Sequence, residues 1–133
     1  MGYLEIRVAT CSHSQMINIT GQVRDIVSES GIMSGVCYIY IPHTTAGITI
    51  NENADPDVVS DIIYETAKIV PWNNSYKHME GNSAAHLKAS MMGFSQAVFV
   101  DDGKLVLGTW QGIFLCEFDG PRNRRVLVKI IEG

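Results

Sequence analysis

The sequence predicts an α+β fold, a mainly antiparallel β-sheet or sandwich with about three helices, in a single compact domain over residues 1–133. Three observations carry this reading. Strand-like segments lie at both ends of the chain with helical periodicities between them; no sustained βαβ alternation argues for a doubly wound parallel sheet; and no repeat, linker or low-complexity segment divides the chain. A chain of this length buries roughly two-thirds of the surface its unfolded form exposes. It needs no disulfide or metal to hold its core, so any metal is functional rather than structural.

Residues Tyr3 to Thr10 set Leu4, Ile6 and Val8 against Tyr3, Glu5 and Arg7, the period-two pattern of a half-buried strand. Gln15 to Ile19 reads as a short second strand. Thr20 then caps a helix with Val23, Ile26 and Val27 on one side, and Gly31 ends it. Val36 to Ile41 is a near-continuous β-rich run without polar alternation, which predicts a central strand, and Ile48 to Asn51 continues the sheet. At Asp55-Pro56-Asp57 the period changes: Asp55 is an N-cap, proline takes the first helical position, and Val58, Val59, Ile62, Ile63, Ala67 and Ile69 recur at helical spacing until Pro71. From Trp72 to Asn82 no period emerges, and the segment reads as a loop long enough to be functional. Ser83 is read as the N-cap of a third helix closed by Gly93. Ala97 to Val100, the turn Asp101-Asp102-Gly103 and Lys104 to Leu107 form a hairpin, and Ile113 to Phe118 and Arg125 to Ile131 supply the last strands.

Composition narrows the function. A net charge of -4 and a pI near 5.4 lack the basic footprint of nucleic-acid binding. The N-terminus has no basic region followed by an apolar run, and no segment approaches about 18 consecutive apolar residues, so no membrane span is expected. Cys11, Cys37 and Cys116 are odd in number and widely spaced, without a Cys-x-x-Cys pair, and the expectation is a cytoplasmic protein with reduced thiols. An apolar share of 46% against 18% charged residues is slightly more than a small monomer hides, which points weakly to an oligomer.

The stretch from His43 to Asp57 concentrates chemistry at a strand-to-helix junction: an imidazole, the hydroxyls of Thr44, Thr45 and Thr49, the amides of Asn51 and Asn53, and the carboxylates of Glu52, Asp55 and Asp57. Glu52, Asp55, Asp57 and Glu80 suit a general base or magnesium ligands, with Glu52 favoured because Asp55 already serves as a cap. His43, His78 and His86 share a setting of hydroxyls, small residues and glycine. Three histidines with an open position suit a divalent metal such as zinc, although their spacing does not itself establish a site. The amides from Asn82 and Ser83 to Ala84 and Ala85 open a helix after Gly81, the geometry that receives phosphate, with Lys88 one turn on. Thr109, Trp110 and Gln111 lie between Gly108 and Gly112, where glycine in a strand pair marks either a bend or a ligand approaching the backbone. Arg122, Arg124 and Arg125 are either solvated or receive an anion.

His43-Thr44-Thr45-Ala46-Gly47 running into Asn51-Glu52-Asn53-Ala54-Asp55-Pro56-Asp57, then Gly81-Asn82-Ser83-Ala84-Ala85-His86-Leu87-Lys88-Ala89-Ser90, then Leu107-Gly108-Thr109-Trp110-Gln111-Gly112-Ile113, together resemble the YjbQ-like family, also called the secondary thiamine-phosphate synthase family. The resemblance covers nearly the whole chain in three motifs. It implies a compact α+β domain that forms a homotrimer with sites near subunit contacts. It also implies that His43, His78 and His86 converge, as candidate ligands of a divalent metal (magnesium or zinc), beside Asn51, Glu52 and Thr109-Trp110-Gln111. The activity it implies joins a hydroxymethylpyrimidine diphosphate to a thiazole phosphate with release of pyrophosphate, as a secondary activity. A metal-dependent phosphohydrolase and a non-catalytic trimer binding a small phosphorylated ligand or metal are the alternatives.

Overall fold

The computed structural model describes residues 2–133. Eight strands and three helices follow in the order β1 (Leu4–Ala9), β2 (Gln15–Asn18), α1 (Thr20–Ser30), β3 (Ser34–Tyr40), β4 (Ala46–Glu52), α2 (Pro56–Ile69), α3 (Ser83–Met92), β5 (Ser95–Asp101), β6 (Lys104–Leu105), β7 (Gln111–Glu117) and β8 (Asn123–Glu132). All strand pairs are antiparallel, in a five-stranded sheet ordered β1-β8-β3-β5-β6 and a three-stranded sheet ordered β2-β7-β4. The α+β reading with a mainly antiparallel sheet holds.

The main core is apolar. Ile6, Val8, Cys37, Ile39, Val98, Val100, Val126 and Val128 from the larger sheet meet Ala46, Ile48, Ile113 and Leu115 from the smaller, with Val23 and Val27 of α1. β7 is buried on both faces, because its Cys116, with Phe118 just past the strand's end, belongs to a second cluster beneath Ala85 and Ala89 of α3. Gly47 makes this second layer possible. A Cβ there would stand 2.9 Å from the Gly93 carbonyl oxygen and 3.0 Å from Met92 Cβ, so only glycine lets α3 lie this close on β4.

Several local readings hold. Gly31 ends α1 at φ 71°, Asp55 Oδ1 accepts from the Asp57 N–H, and Pro56 opens α2. Asp102 and Gly103 both take positive φ in the two-residue hairpin loop, as an Asp-Gly turn should. Others need correction. Thr20 is not a cap: its hydroxyl donates to Asn18 Oδ1 at 2.6 Å and accepts from the Ile113 N–H at 2.8 Å, tying α1 to β7. Ser83 is the first helical residue, and the cap position falls to Asn82, whose side chain makes no capping bond because Asp119 engages it. β3 is central, yet Tyr38 and Tyr40 face outward, since no element among the described residues covers the outer face of the larger sheet. Leu4 is likewise exposed.

Gly47→Ala should therefore cost about 1–3 kcal/mol, the usual range for overpacking, and loosen α3. Urea melts read the stability loss, and hydrogen exchange should show faster opening in residues 83–92 than in β3 or β8.

Candidate functional site

Three stretches remote in sequence meet at one end of the sandwich. The connection from β3 to β4 brings His43, Thr44 and Thr45; the approach to α3 and its first turn bring His78, Glu80, Asn82 and His86; the turn before β8 brings Asp119, Arg122 and, at the start of that strand, Arg124. Together they line a cavity of about 450 Å³, a size suited to a small molecule.

Behind its wall, Arg124 reaches between the sheets to Glu117, which is 0% exposed. Arg124 Nε donates to Glu117 Oε1 at 2.8 Å and Nη2 donates to Oε2. Nη2 also donates to Thr45 Oγ1 at 2.8 Å, while the Thr10 hydroxyl and the Asp119 N–H donate to the same carboxylate at 2.7 and 3.0 Å. Burial pushes the Glu117 carboxyl up, but bonds from Arg124, Thr10 and the Asp119 amide outweigh it, and the group titrates below its usual 4.5. The same opposition lowers Asp119, where desolvation is overcome by bonds from Asn82 and Arg122.

His43 is locked by the backbone. Its Nε2 accepts the Arg125 N–H at 2.8 Å, so the neutral ring carries its proton on Nδ1. Burial and then the nearby Arg124 and Arg125 charges hold its pKa below the usual 6.5. His78 and His86 form an edge-to-face pair with ring centroids 5.3 Å apart. Asn82 is only 8% exposed; its Nδ2 donates to Asp119 Oδ2 at 2.9 Å, which fixes the amide orientation and leaves the buried Oδ1 without a partner.

These positions bear on a metal. Among the described residues no three His, Cys, Asp or Glu side chains stand where one ion would touch them all. His43, moreover, has no free lone pair while Nε2 receives the Arg125 amide. The three histidines share a cavity, but as placed they do not form a three-ligand centre.

Of the residues singled out in the sequence, His43, Thr44, Thr45, His78, Glu80, Asn82, His86, Arg122 and Arg124 come together. Ser83 lines an adjoining cavity, and the Ala84 and Ala85 side chains are buried beneath α3. Lys88 is only 4% exposed, with its ammonium 5.9 Å above the Phe118 ring, and burial lowers its pKa; it does not line the cavity. Glu52 pairs with Gln111 and Asn51 with Gly112 at the far end of β4, about 20 Å of strand from Thr45. Asp57 in the first turn of α2, and Thr109 and Trp110 before β7, belong to that far end too. Glu117 and Asp119 were not foreseen, although a lone carboxylate in the apolar run Ile113 to Phe118 was a visible signal.

Two outcomes follow. Glu117→Gln should cost about 3–5 kcal/mol in denaturant melts by leaving Arg124 charged and unpaired. Because the native carboxyl titrates below 4.5, the wild type holds this contribution above that pH and loses it as pH falls through the lowered value; the variant should lack that component. Imidazole ¹H–¹⁵N spectra should show His43 as the Nδ1–H tautomer with a midpoint below 6.5. Its lowered pKa makes folding stability full above 6.5 and weaker as pH falls below it, since only the unfolded chain then gains the proton.

A family model described as "UPF0047 protein YjbQ-like" matches residues 4–133. The UPF0047 protein YugU of Bacillus subtilis is 52% identical, the match covering 95% of this chain and 96% of that protein. A UPF0047 protein of Methanocaldococcus jannaschii is 51% identical, over 94% of this chain and 91% of its own length. Among solved structures, an uncharacterized conserved protein of the YjbQ/UPF0047 family from Clostridium acetobutylicum superposes with a TM-score of 0.95 at 55% identity, covering 96% of this chain and 99% of that one. A YbjQ-like protein of unknown function from Sulfolobus solfataricus gives 0.95 at 39% identity, covering 98% and 96%.

Proposed function

The chain belongs to the YjbQ-like UPF0047 family, and from that premise we propose that its histidine cavity binds and turns over a small phosphorylated molecule in a reaction of the thiamine-phosphate synthase type. In that reaction the thiazole nitrogen attacks the pyrimidine methylene carbon, a C–N bond forms, the C–O bond breaks, and its electron pair leaves with pyrophosphate. The protein's task is to place two substrates and stabilise charge growing on the leaving group. One observation carries the reading: the cavity gathers donors suited to an anion from three separate stretches. They are the Nδ1–H of His43, the Arg122 guanidinium, whose Nε and Nη2 already bond Asp119, and the start of α3 at Asn82, beside which the Ser83 and Ala84 amides lack helix partners while the Ala85 N–H donates to the Asn82 carbonyl. The partnerless Asn82 Oδ1 offers an acceptor to a substrate N–H or O–H.

A metal-dependent phosphohydrolase is the second reading, favoured by Glu80 and Asp119 in the same cavity as His78 and His86. It requires those side chains to close on magnesium or zinc. We further propose the homotrimer as the working assembly, supported by apolar surface that the single chain leaves open: Tyr38, Tyr40, Phe99 and Ile131 on the larger sheet, and an α2 with no fully buried residue. Only from another copy does Glu52 reach a histidine cavity, because its own lies a strand length away.

Titration calorimetry with inorganic pyrophosphate, together with turnover of both thiamine precursors and of simple phosphate esters with and without metal, tests the site. Arg122→Gln should weaken pyrophosphate binding about tenfold, the equivalent of one lost charged hydrogen bond. Absence of pyrophosphate binding overturns the reading; binding without turnover leaves a non-catalytic binder; hydrolysis that needs metal selects the phosphohydrolase. Mixing Glu52→Gln with His86→Ala chains, with assembly followed by light scattering against three times 14.7 kDa, should restore activity above either parent. Parent-level activity in mixed trimers removes Glu52 from the site.

A further inference from the structure

The outer face of the larger sheet is ordered by charge. At the end that carries Arg124, Arg7 on β1 stands directly opposite Arg125 on β8, a like-charge pairing that weakens a sheet unless something offsets it. Glu5 lies between them, 3.1 Å from Arg7 Nε and 3.3 Å from Arg125 Nε, so two guanidinium groups share one carboxylate. One positive charge is left over. The Arg7 side chain is 88% exposed, and the pair opens on a cavity of about 490 Å³. Further along the same face Tyr40 stands beside Leu127, Tyr38 beside Lys129, and Ile131 beside Val36, which pairs in turn with Phe99. From Arg125 to Ile131 the face thus runs from two arginines to an aromatic and aliphatic end over about 20 Å of strand.

Helix α2 has the matching order. Asp57, Asp61, Tyr64 and Lys68 follow at steps of four, three and four residues, which sets them on one stripe, and all of them are exposed. The stripe begins with two carboxylates and ends on a tyrosine ring with the Lys68 ammonium 4.7 Å from its centroid. The helix is about 21 Å long, the length of the sheet face. Laid on that face in one direction, it sets Asp57 and Asp61 on the arginines and Tyr64 on the tyrosines. Laid in the other, it forces Lys68 onto Arg7 and Arg125, so charge selects the first direction.

We infer that the outer face of the larger sheet receives α2 of a second copy of this chain, with the Asp57 and Asp61 end of the helix on Arg7 and Arg125. This rests on the assembly proposed above and names the surfaces that make it. Two different faces meet, so each copy presents one to the next and the contact closes as a ring rather than as a symmetric pair. Glu52 lies just before the acidic end of α2, and the contact therefore brings it to the end of the neighbour where Arg125 donates its N–H to His43. The partner copy then supplies a carboxylate beside the histidine cavity.

Light scattering of the full-length protein through a dilution series is the test. Arg7→Glu and Asp61→Arg each change an exposed side chain outside the core, with folding checked by thermal melting. Each alone should raise the concentration of half-dissociation about tenfold, because like charges then face one another across the contact. Both together in one chain restore an unlike pair and should recover most of the loss. Lys68→Glu should not tighten the assembly. If the single variants assemble as the wild type does, or the double variant is no better than the weaker single, the contact is wrong and the trimer uses another surface. Tightening by Lys68→Glu reverses the helix and overturns the inference, and assembly of two copies excludes the ring. A wild type that stays monomeric at every concentration removes the assembly reading itself.

Discussion

The site depends on one interaction, the ion pair of Arg124 and Glu117 enclosed between the two sheets. Two charges taken from water lose several kcal/mol of solvation each, and attraction alone rarely restores it. Here every oxygen of Glu117 is occupied, by Arg124, by Thr10 and by the Asp119 amide. The pair joins β8 to β7, and its branches set the cavity wall: Arg124 holds Thr45 at the start of β4, and the Glu117 bond to the Asp119 amide shapes the turn whose carboxylate holds Asn82. Asn82 in turn begins α3, which carries His86. A chain of hydrogen bonds thus runs from the interior to the residues that would meet a ligand.

The sandwich separates stability from chemistry. Along most of their length the sheets meet through aliphatic side chains, and at the end with Arg124 the interior encloses an ion pair. α3 lies on the outside of the smaller sheet because Gly47 leaves room for it, and this placement brings a helix start to the polar end. The opposite end carries Asn51, Glu52 and the segment before β7, and the outer face of the larger sheet carries aromatic residues that no element among the described residues covers. A single copy therefore presents two polar regions a strand apart and an apolar face between subunits in the proposed trimer.

The three histidines have different duties despite their similar settings. His43 is a backbone-held donor with a fixed tautomer, whereas His78 and His86 pack against each other and line two adjoining cavities. The distinction is one of partners rather than residue type, since which nitrogen carries a proton follows from what the other nitrogen bonds.

Much of the fold was legible in the sequence because strand alternation, helix periodicity and turn chemistry are short-range. The alternation of Ile6 and Val8, the Asp55-Pro56 helix start, Gly31 and the Asp102-Gly103 turn each report local sterics or one-sided burial, and each stands in the structure. The same local logic misread Thr20 and Ser83 as caps, because a hydroxyl beside a helix start can bond elsewhere when a distant strand offers a partner. Likewise, the apolar run of β3 could not say that one of its faces lacks a covering layer. The family resemblance implied that the three histidines converge, but no local pattern gave the rest of the site, for a single physical reason. Its bonds join His43 to Arg125 across 82 residues, Thr45 to Arg124 across 79 and Thr10 to Glu117 across 107, and no local pattern records which distant donor will satisfy a given acceptor. The chain determined which residues have chemistry to offer; only the packing of two sheets and α3 decided which of them face the same space.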